Sequence, residues 1–270
     1  MNVRALTVFT LAFAIVYGFV NTFVLWRAFG NMFSDGVRDA LPWIVVAVIG
    51  LVGVLFIWRR KRVAKISWLF LVPAVIAAAI GLSITDPAFP GKRIHVPQYF
   101  VLALFVWLVL PVRLRTSATP LLTLIATALY GIHDEFLQGF HPSRTFGLRD
   151  MVVNLCGAAS GVFVLLALSD SRPWRNGKAV VPRPDRSAAM ALTACVVGAC
   201  LLAWAATGYR NDLLPYWVVL PVLAGAVWLA VIVEGLPNAG DRVSLHGIVA
   251  ISTVFLIYPL LANVAHLDFA

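Results

Sequence analysis

Nine ionisable or amide side chains are concentrated between residues 133 and 154, where two strongly apolar segments meet. They are His133, Asp134, Glu135, Gln138, His141, Arg144, Arg149, Asp150 and Asn154. An ionisable group in hydrocarbon is costly unless it is paired or hydrated, so such a cluster at a membrane boundary is by default a candidate site. Carboxylates and imidazoles can exchange protons, whereas arginines can hold a phosphate or a carboxylate.

The first of these apolar segments ends in polar side chains that share one helical face. Tyr130, Asp134 and Gln138 are four residues apart, and Glu135 lies three residues before Gln138. Because residues three and four apart are neighbours on a helix surface, one helix end gathers a phenol, two carboxylates and an amide. That combination suits acid–base chemistry or the orientation of a polar ligand.

The following apolar segment carries its polar and small residues in a single stripe. Asp150, Asn154, Gly157 and Gly161 follow one another at helical spacing. Two glycines four residues apart allow the backbone of a neighbouring helix to approach closely. We therefore expect the polar head of this stripe to lie against another helix rather than in lipid.

A second polar group lies at the start of an earlier apolar segment. It consists of Lys92, His95 and Tyr99. His95 and Tyr99 are four apart and therefore share a helix face near one membrane interface. Lys92 and Tyr99 also suit the belt of cations and aromatic rings that flanks membrane helices. His95 fits that belt less well, so we assign it to the candidate site.

The composition places the whole chain among membrane proteins. Of its 270 residues, 61% are hydrophobic and 12% are charged, and the mean hydropathy is +0.91. A membrane helix needs about 20 apolar residues. The predicted spans are 5–25, 42–58, 66–84, 97–112, 117–138, 150–168, 188–207, 216–234 and 245–263. The predicted fold is an all-α, polytopic transmembrane bundle of about nine helices.

The net charge of +9 indicates orientation rather than nucleic-acid binding. Binding to nucleic acid needs basic residues on a soluble face, whereas here they lie in short loops beside apolar segments. With the N-terminus in the cytoplasm, the run Arg59–Arg62 and about two-thirds of all basic residues lie inside. This bias predicts a multi-pass protein of the plasma membrane that is N-in and C-out, with the loop 133–149 on the external face.

Composition also divides the chain along its length. Residues 1–65 are predicted to form two N-terminal transmembrane helices, and residues 66–168 a four-helix unit that carries the polar residues and opens an external polar cavity. Residues 169–187 are rich in proline and basic residues, which is typical of a cytoplasmic linker. Residues 188–270 are predicted to form three C-terminal transmembrane helices.

Three motifs taken together resemble the pattern of the VanZ-like family of integral membrane proteins. They are Lys92-x-x-His95-x-x-x-Tyr99, Asp134-Glu135-x-x-Gln138-x-Phe140-x-Pro142-x-Arg144 and Asp150-x-x-x-Asn154-x-x-Gly157-x-x-x-Gly161. The resemblance covers roughly residues 66–168. The family's namesake is associated with reduced susceptibility to teicoplanin, so the resemblance implies a bacterial cell-envelope protein linked to antibiotic resistance. Gly91 stands where the family often has an acidic residue, which leaves the acidic partner of Lys92 unspecified.

The first hypothesis for the site is recognition without chemistry. The ligand would be an anionic amphiphile, such as a lipid-linked wall intermediate or a lipoglycopeptide, with its tail in the adjacent membrane lipids. Arg144 and Lys92 would hold the anion, because guanidinium and ammonium groups bind phosphates and carboxylates. The candidate ligand-binding residues are Lys92, His95, Tyr99, Asp134, Glu135, Gln138, Arg144, Asp150 and Asn154.

Two other hypotheses use the same residues differently. In one, the chain is a membrane-interface enzyme that acts on an envelope lipid, with His95, Glu135 and Asp150 as catalytic acid–base residues. In the other, the carboxylates pair with Arg144, Arg149 or His95 only to hold the bundle together. No cofactor and no metal are expected, since the His and carboxylate residues lack the spacing of a metal motif.

Overall fold

The computed structural model describes residues 3–34, 36–37, 40–49, 67–87, 89–109, 119–141, 144–168, 186–209, 212–236, 239–264 and 269. These residues form helices and turns, and none of them lies in a strand. The all-helical fold predicted from the apolar segments is thus confirmed for this part of the chain. The basic run Arg59–Arg62 and the predicted linker as far as residue 185 lie outside the described residues, as does Pro142.

The helices in chain order are α1 (Val3–Met32), α2 (Ala40–Ile49), α3 (Trp68–Ile84), α4 (His95–Val109), α5 (Thr119–Gly139), α6 (Leu148–Leu168), α7 (Arg186–Ala206), α8 (Leu220–Val233), α9 (Ala239–Val254) and α10 (Ile257–Asn263). Short 3₁₀ segments precede α4 and α8, at Pro90–Ile94 and Tyr216–Val219. Each predicted span overlaps at least one of these helices, and the last span, 245–263, overlaps both α9 and α10.

Four helical segments among the described residues are long and apolar enough to cross a membrane. They are Leu148–Leu168, Arg186–Ala206, Tyr216–Val233 and Leu245–Asn263. Shorter apolar helical stretches cover Thr10–Asn21 within α1, Ala40–Ile49 and Trp68–Ile84. Large apolar side chains such as Leu69 and Val231 are exposed on the outside of the bundle, which is what a lipid-facing surface requires. These helices are compatible with the membrane class predicted from composition.

The last predicted span is interrupted near its middle. α9 ends at Val254 and α10 begins at Ile257. Pro259 lies in the first turn of α10, and its missing N–H could not have bonded to the carbonyl of Phe255 in a continuous helix. The interruption therefore falls where proline cannot continue the hydrogen-bond ladder, and it places Tyr258 against α5.

α5 lies at the centre of the bundle. Helices α1, α4, α6, α7 and α9 all pack against it. Most of its residues are buried, including the polar residues near its C-terminal end. Because buried polar groups need partners inside the protein, the neighbours of that end decide how the cluster is arranged.

Glycines on α6 allow it to approach α4 closely. A Cβ atom on Gly157 would lie 2.5 Å from the carbonyl oxygen of Val96, and one on Gly161 would lie 2.7 Å from that of Phe100. Any larger residue would have to move the backbone of α4. The structure thus places the glycine stripe directly against α4, which holds the start of α4 beside the start of α6.

Candidate functional site

The predicted site residues meet at one end of the bundle, where α4 begins, α5 ends and α6 begins. Lys92 comes from the 3₁₀ segment before α4, and His95 is the first residue of α4. Arg144 lies in the loop between α5 and α6. The last turns of α5 and the first turns of α6 supply Asp134, Glu135, Gln138, Asp150 and Asn154.

Lys92 forms an ion pair with Asp150. The carboxylate is 2% exposed and the lysine side chain 22%, and a buried carboxylate needs such a partner. Asp150 is therefore the acidic partner of Lys92. The sequence left this partner unspecified, because Gly91 stands where the VanZ-like family often has an acidic residue. Arg149, one of the cations suggested as partners of the buried carboxylates, is exposed instead and lies 3.5 Å from Asp86.

A chain of hydrogen bonds connects the end of α5 to the loop that leads into α6. Gln138 Nε2 donates to Glu135 Oε1 at 3.0 Å, and the backbone N–H of Gly147 donates to Glu135 Oε2 at 3.1 Å. Arg144 donates to Gln138 Oε1 through Nε, at 3.1 Å, and through Nη2. The loop is thereby folded back over the carboxylate of Glu135.

Arg144 supplies a fixed positive charge at the edge of this chain, where its side chain is half-buried. Burial lowers the pKa of its guanidinium from the ordinary value, while the carboxylates of Asp134, Glu135 and Asp150 raise it. A guanidinium remains protonated at any physiological pH. Arg144 therefore stays cationic beside the buried acids.

His95 and Asp134 face each other in the interior of the cluster. Their exposed fractions are 3% and 0%, and His95 Nδ1 lies 3.6 Å from Asp134 Oδ2. That separation is too long for a normal hydrogen bond. Within the described part of the chain, neither His95 Nδ1 nor either carboxylate oxygen of Asp134 makes a hydrogen bond of ordinary geometry.

Tyr99 and Asn154 hold helices together at the inner side of the cluster. The Tyr99 hydroxyl donates to the backbone carbonyl of Tyr130, and Asn154 Nδ2 donates to that of Gly131, both at 3.3 Å. Both side chains are fully buried. The sequence predicts both as ligand-binding residues, whereas in the structure their contacts tie α4 and α6 to the backbone of α5.

The cluster is buried more deeply than an external cavity predicts. Asp134, Glu135 and Gln138 are each 0% exposed, whereas Lys92 and Arg144 are half-buried. The physical reason is the loop after α5, whose Gly147 N–H caps the Glu135 carboxylate. Gly147 could not be identified from the sequence, because a backbone donor leaves no signal in the pattern of polar side chains.

His133 lies on the opposite side of α5 and belongs to a different network. Its Nδ1 is 2.6 Å from the Tyr258 hydroxyl and its Nε2 is 2.9 Å from the carbonyl oxygen of Ile251. The ring stacks on Phe255 with centroids 3.8 Å apart. A neutral imidazole protonated on Nε2 satisfies both contacts. The cluster at Asp134 therefore does not include His133, which instead fastens α9 and α10 to α5.

Replacing Tyr258 with phenylalanine is expected to lower the free energy of unfolding by about 1–2 kcal/mol. The change removes the hydroxyl that donates to His133 and leaves a buried nitrogen without a partner. Chemical unfolding of the detergent-purified protein measures the loss. Tyr216→Phe is the control, because Tyr216 is 49% exposed. Equal losses in the two variants would contradict the hydrogen bond.

Part of the chain is similar to a fission-yeast protein. No family model and no solved structure matches the chain. Uncharacterized protein C11E3.10 of the fission yeast Schizosaccharomyces pombe is 36% identical over 104 residues, which is 37% of this chain. The chain thus spans about 60% of the length of this relative. This match does not bear on the VanZ-like resemblance. The resemblance and the bacterial antibiotic resistance that it implies stay predictions from the motifs.

Proposed function

We propose that this chain is a multi-pass protein of the cell membrane that recognises an anionic amphiphile through Lys92 and Arg144. The observation that carries this proposal is the position of the two cations. Both are half-buried at the edge of a cluster whose carboxylates are fully buried. An anion approaching from the surface therefore meets positive charge first.

Both cations are held in place before a ligand arrives. Asp150 holds the ammonium group of Lys92, and Gln138 holds the guanidinium of Arg144. A side chain that is already ordered loses less entropy on binding than a mobile one. A guanidinium in a fixed orientation also suits the planar geometry of a carboxylate or the oxygens of a phosphate.

Apolar side chains next to the cations fit the tail of an amphiphile. Phe89 is 59% exposed, and its ring centroid lies 5.7 Å from the Lys92 ammonium. Leu148 is 38% exposed and lies two residues before Asp150, the partner of Lys92. A headgroup held by the cations would thus leave its acyl chain beside apolar surface and lipid.

The charge bias of the loops supports an external position for this site. With the N-terminus inside, the loop between α5 and α6 faces outward. The headgroup would be a phosphate or a carboxylate. The VanZ-like resemblance favours a lipid-linked wall intermediate or a lipoglycopeptide, and with it a contribution to glycopeptide tolerance.

Titration with dodecyl phosphate tests the proposal on protein purified in dodecyl maltoside. We expect Arg144→Ala to weaken binding by roughly tenfold or more, since a charge-assisted hydrogen bond contributes about 1.5–3 kcal/mol. Arg149→Ala is the matched control: it removes the same charge five residues away, from a side chain that is 57% exposed. Equal weakening in both variants would show a general charge effect and contradict the proposal.

A membrane-interface enzyme is the second candidate, and the pair of His95 and Asp134 favours it. Their facing atoms make no ordinary hydrogen bond, so both could take part in proton transfer. Glu135 and Asp150, assigned as catalytic from sequence with His95, are instead engaged with Gly147 and Lys92. If the chain is an enzyme, lipid extracts of cells that produce the wild type should differ from extracts of cells that produce Asp134→Asn at the same protein level. Identical extracts would exclude it.

A further inference from the structure

We propose that His95, Asp134 and Glu135 form a binding site for a divalent transition-metal ion of the zinc or manganese type. The site lies behind the two edge cations and does not depend on their binding an amphiphile. No metal was expected from the sequence. The three residues come from two helices and therefore form no metal motif along the chain.

The geometry of the three side chains carries the proposal. One donor atom from each residue lies within 4.8 Å of the other two. Two ligands that each bind an ion at about 2.0–2.2 Å are about 3–4 Å apart. The 3.6 Å between His95 Nδ1 and Asp134 Oδ2 falls in that range and is longer than a hydrogen bond.

The hydrogen bonding of these atoms is the second, independent observation. His95 Nδ1 and both oxygens of Asp134 have no hydrogen-bond partner of ordinary geometry among the described residues, although both side chains are buried. Buried polar atoms are nearly always satisfied, so these three atoms need an explanation. A metal ion satisfies an imidazole nitrogen and a carboxylate at once.

Glu135 can join them without losing its present contacts. Each of its oxygens accepts one hydrogen bond, from Gln138 or from Gly147, and a carboxylate oxygen can accept two. Those two bonds orient the carboxylate in the way that outer contacts usually orient metal ligands. Asp134 and Glu135 together supply two negative charges to a divalent ion.

Electrostatics favours a cation at this position. The cluster holds the carboxylates of Asp134, Glu135 and Asp150 against the cations Lys92 and Arg144. Lys92 forms an ion pair with Asp150. With His95 neutral and the carboxylates ionised, as metal binding requires, three negative charges face two positive ones. A buried excess charge is unfavourable unless it is compensated.

The donor set defines the class of metal. One imidazole nitrogen with two carboxylates suits zinc, manganese or iron(II), whereas calcium prefers six to eight oxygen ligands. No thiolate contributes to the group, which excludes the soft-metal chemistry of copper(I). The class is therefore a divalent first-row transition ion.

Metal analysis of the purified full-length protein tests the proposal. Protein in detergent is stripped with a chelator, loaded with Zn²⁺ or Mn²⁺, desalted and measured by elemental mass spectrometry. We expect about one ion per chain. Asp134→Asn and His95→Gln should each weaken binding by more than the roughly 10–100-fold loss typical of changes to outer-shell contacts. Asp134→Asn keeps the size of the side chain and so keeps the packing.

His246→Gln is the matched control. His246 also faces a carboxylate, Glu234, at 3.0 Å, but Glu234 is 73% exposed. The control should retain the bound ion. Cobalt(II) loading gives a second readout, since the visible spectrum of an imidazole-bound ion should be lost in His95→Gln. Lack of bound metal in the wild type, or equal binding by the wild type and Asp134→Asn, would overturn the proposal.

Discussion

Replacing Asp150 with alanine is expected to destabilise the protein by about 3–5 kcal/mol. Asp150 is 2% exposed and pairs with Lys92, which is 22% exposed. Removing the carboxylate leaves an ammonium group largely buried without its partner, and that uncompensated charge is the main source of the loss. The free energy of unfolding, measured by denaturant titration in micelles, reports the effect.

Two comparisons make this prediction specific. Asp86→Ala breaks the pair between Asp86 and Arg149, whose side chains are 37% and 57% exposed, and should cost only about 0–1 kcal/mol. The double variant Lys92→Met with Asp150→Leu replaces the buried pair by apolar groups and should recover most of the stability. A double variant as unstable as Asp150→Ala would show that Lys92 is not the group left uncompensated.

Replacing Gly157 with alanine is expected to cost about 3 kcal/mol, at the upper end for overpacking. The added Cβ would lie 2.5 Å from the carbonyl oxygen of Val96, and a backbone atom of α4 cannot move aside as a side chain can. α4 and α6 would have to separate, which would also pull Lys92 away from Asp150. Thermal unfolding of the purified variant measures the loss.

Gly18→Ala is the control for this change. Gly18 lies within α1, and a Cβ there would meet nothing within 4 Å. Alanine is a better helix former than glycine by about 1 kcal/mol, so this variant should be unchanged or stabilised. The two substitutions are chemically identical, but only Gly157→Ala is expected to destabilise the protein. A Gly157→Ala protein as stable as the wild type would contradict the close packing of α4 and α6.

Local spacing predicted the parts of this site that lie on one helix. Asp134, Glu135 and Gln138 share the end of α5, as their separations of three and four residues require. The glycine stripe of α6 likewise lies against a neighbouring helix. Such predictions succeed because helical geometry fixes which side chains are neighbours before any tertiary contact forms.

Partners that come from different helices could not be predicted in the same way. Lys92 and Asp150 are 58 residues apart, and only the packing of α4 on α6 shows that they pair. His133 is next to Asp134 in sequence but points to the other side of α5, towards Tyr258. Composition could not reveal which side of a central helix meets which neighbour.

The depth at which the cluster is buried could not be predicted from the sequence either. A polar cluster between apolar segments suggested a cavity open to the surface, but the loop after α5 returns and covers Glu135 through the N–H of Gly147. A backbone N–H is present in almost every residue type, so the sequence could not show that Gly147 covers Glu135. Lys92 and Arg144 are left as the cations at the surface of the cluster.

Native mass spectrometry of the protein extracted from membranes tests the proposed recognition of an anionic amphiphile most directly. The wild type and Arg149→Ala are expected to carry a bound phosphate- or carboxylate-headed lipid, and Arg144→Ala at equal abundance is expected to lose it. Retention of the same lipid by Arg144→Ala, or release of only neutral lipids from the wild type, would contradict the proposal.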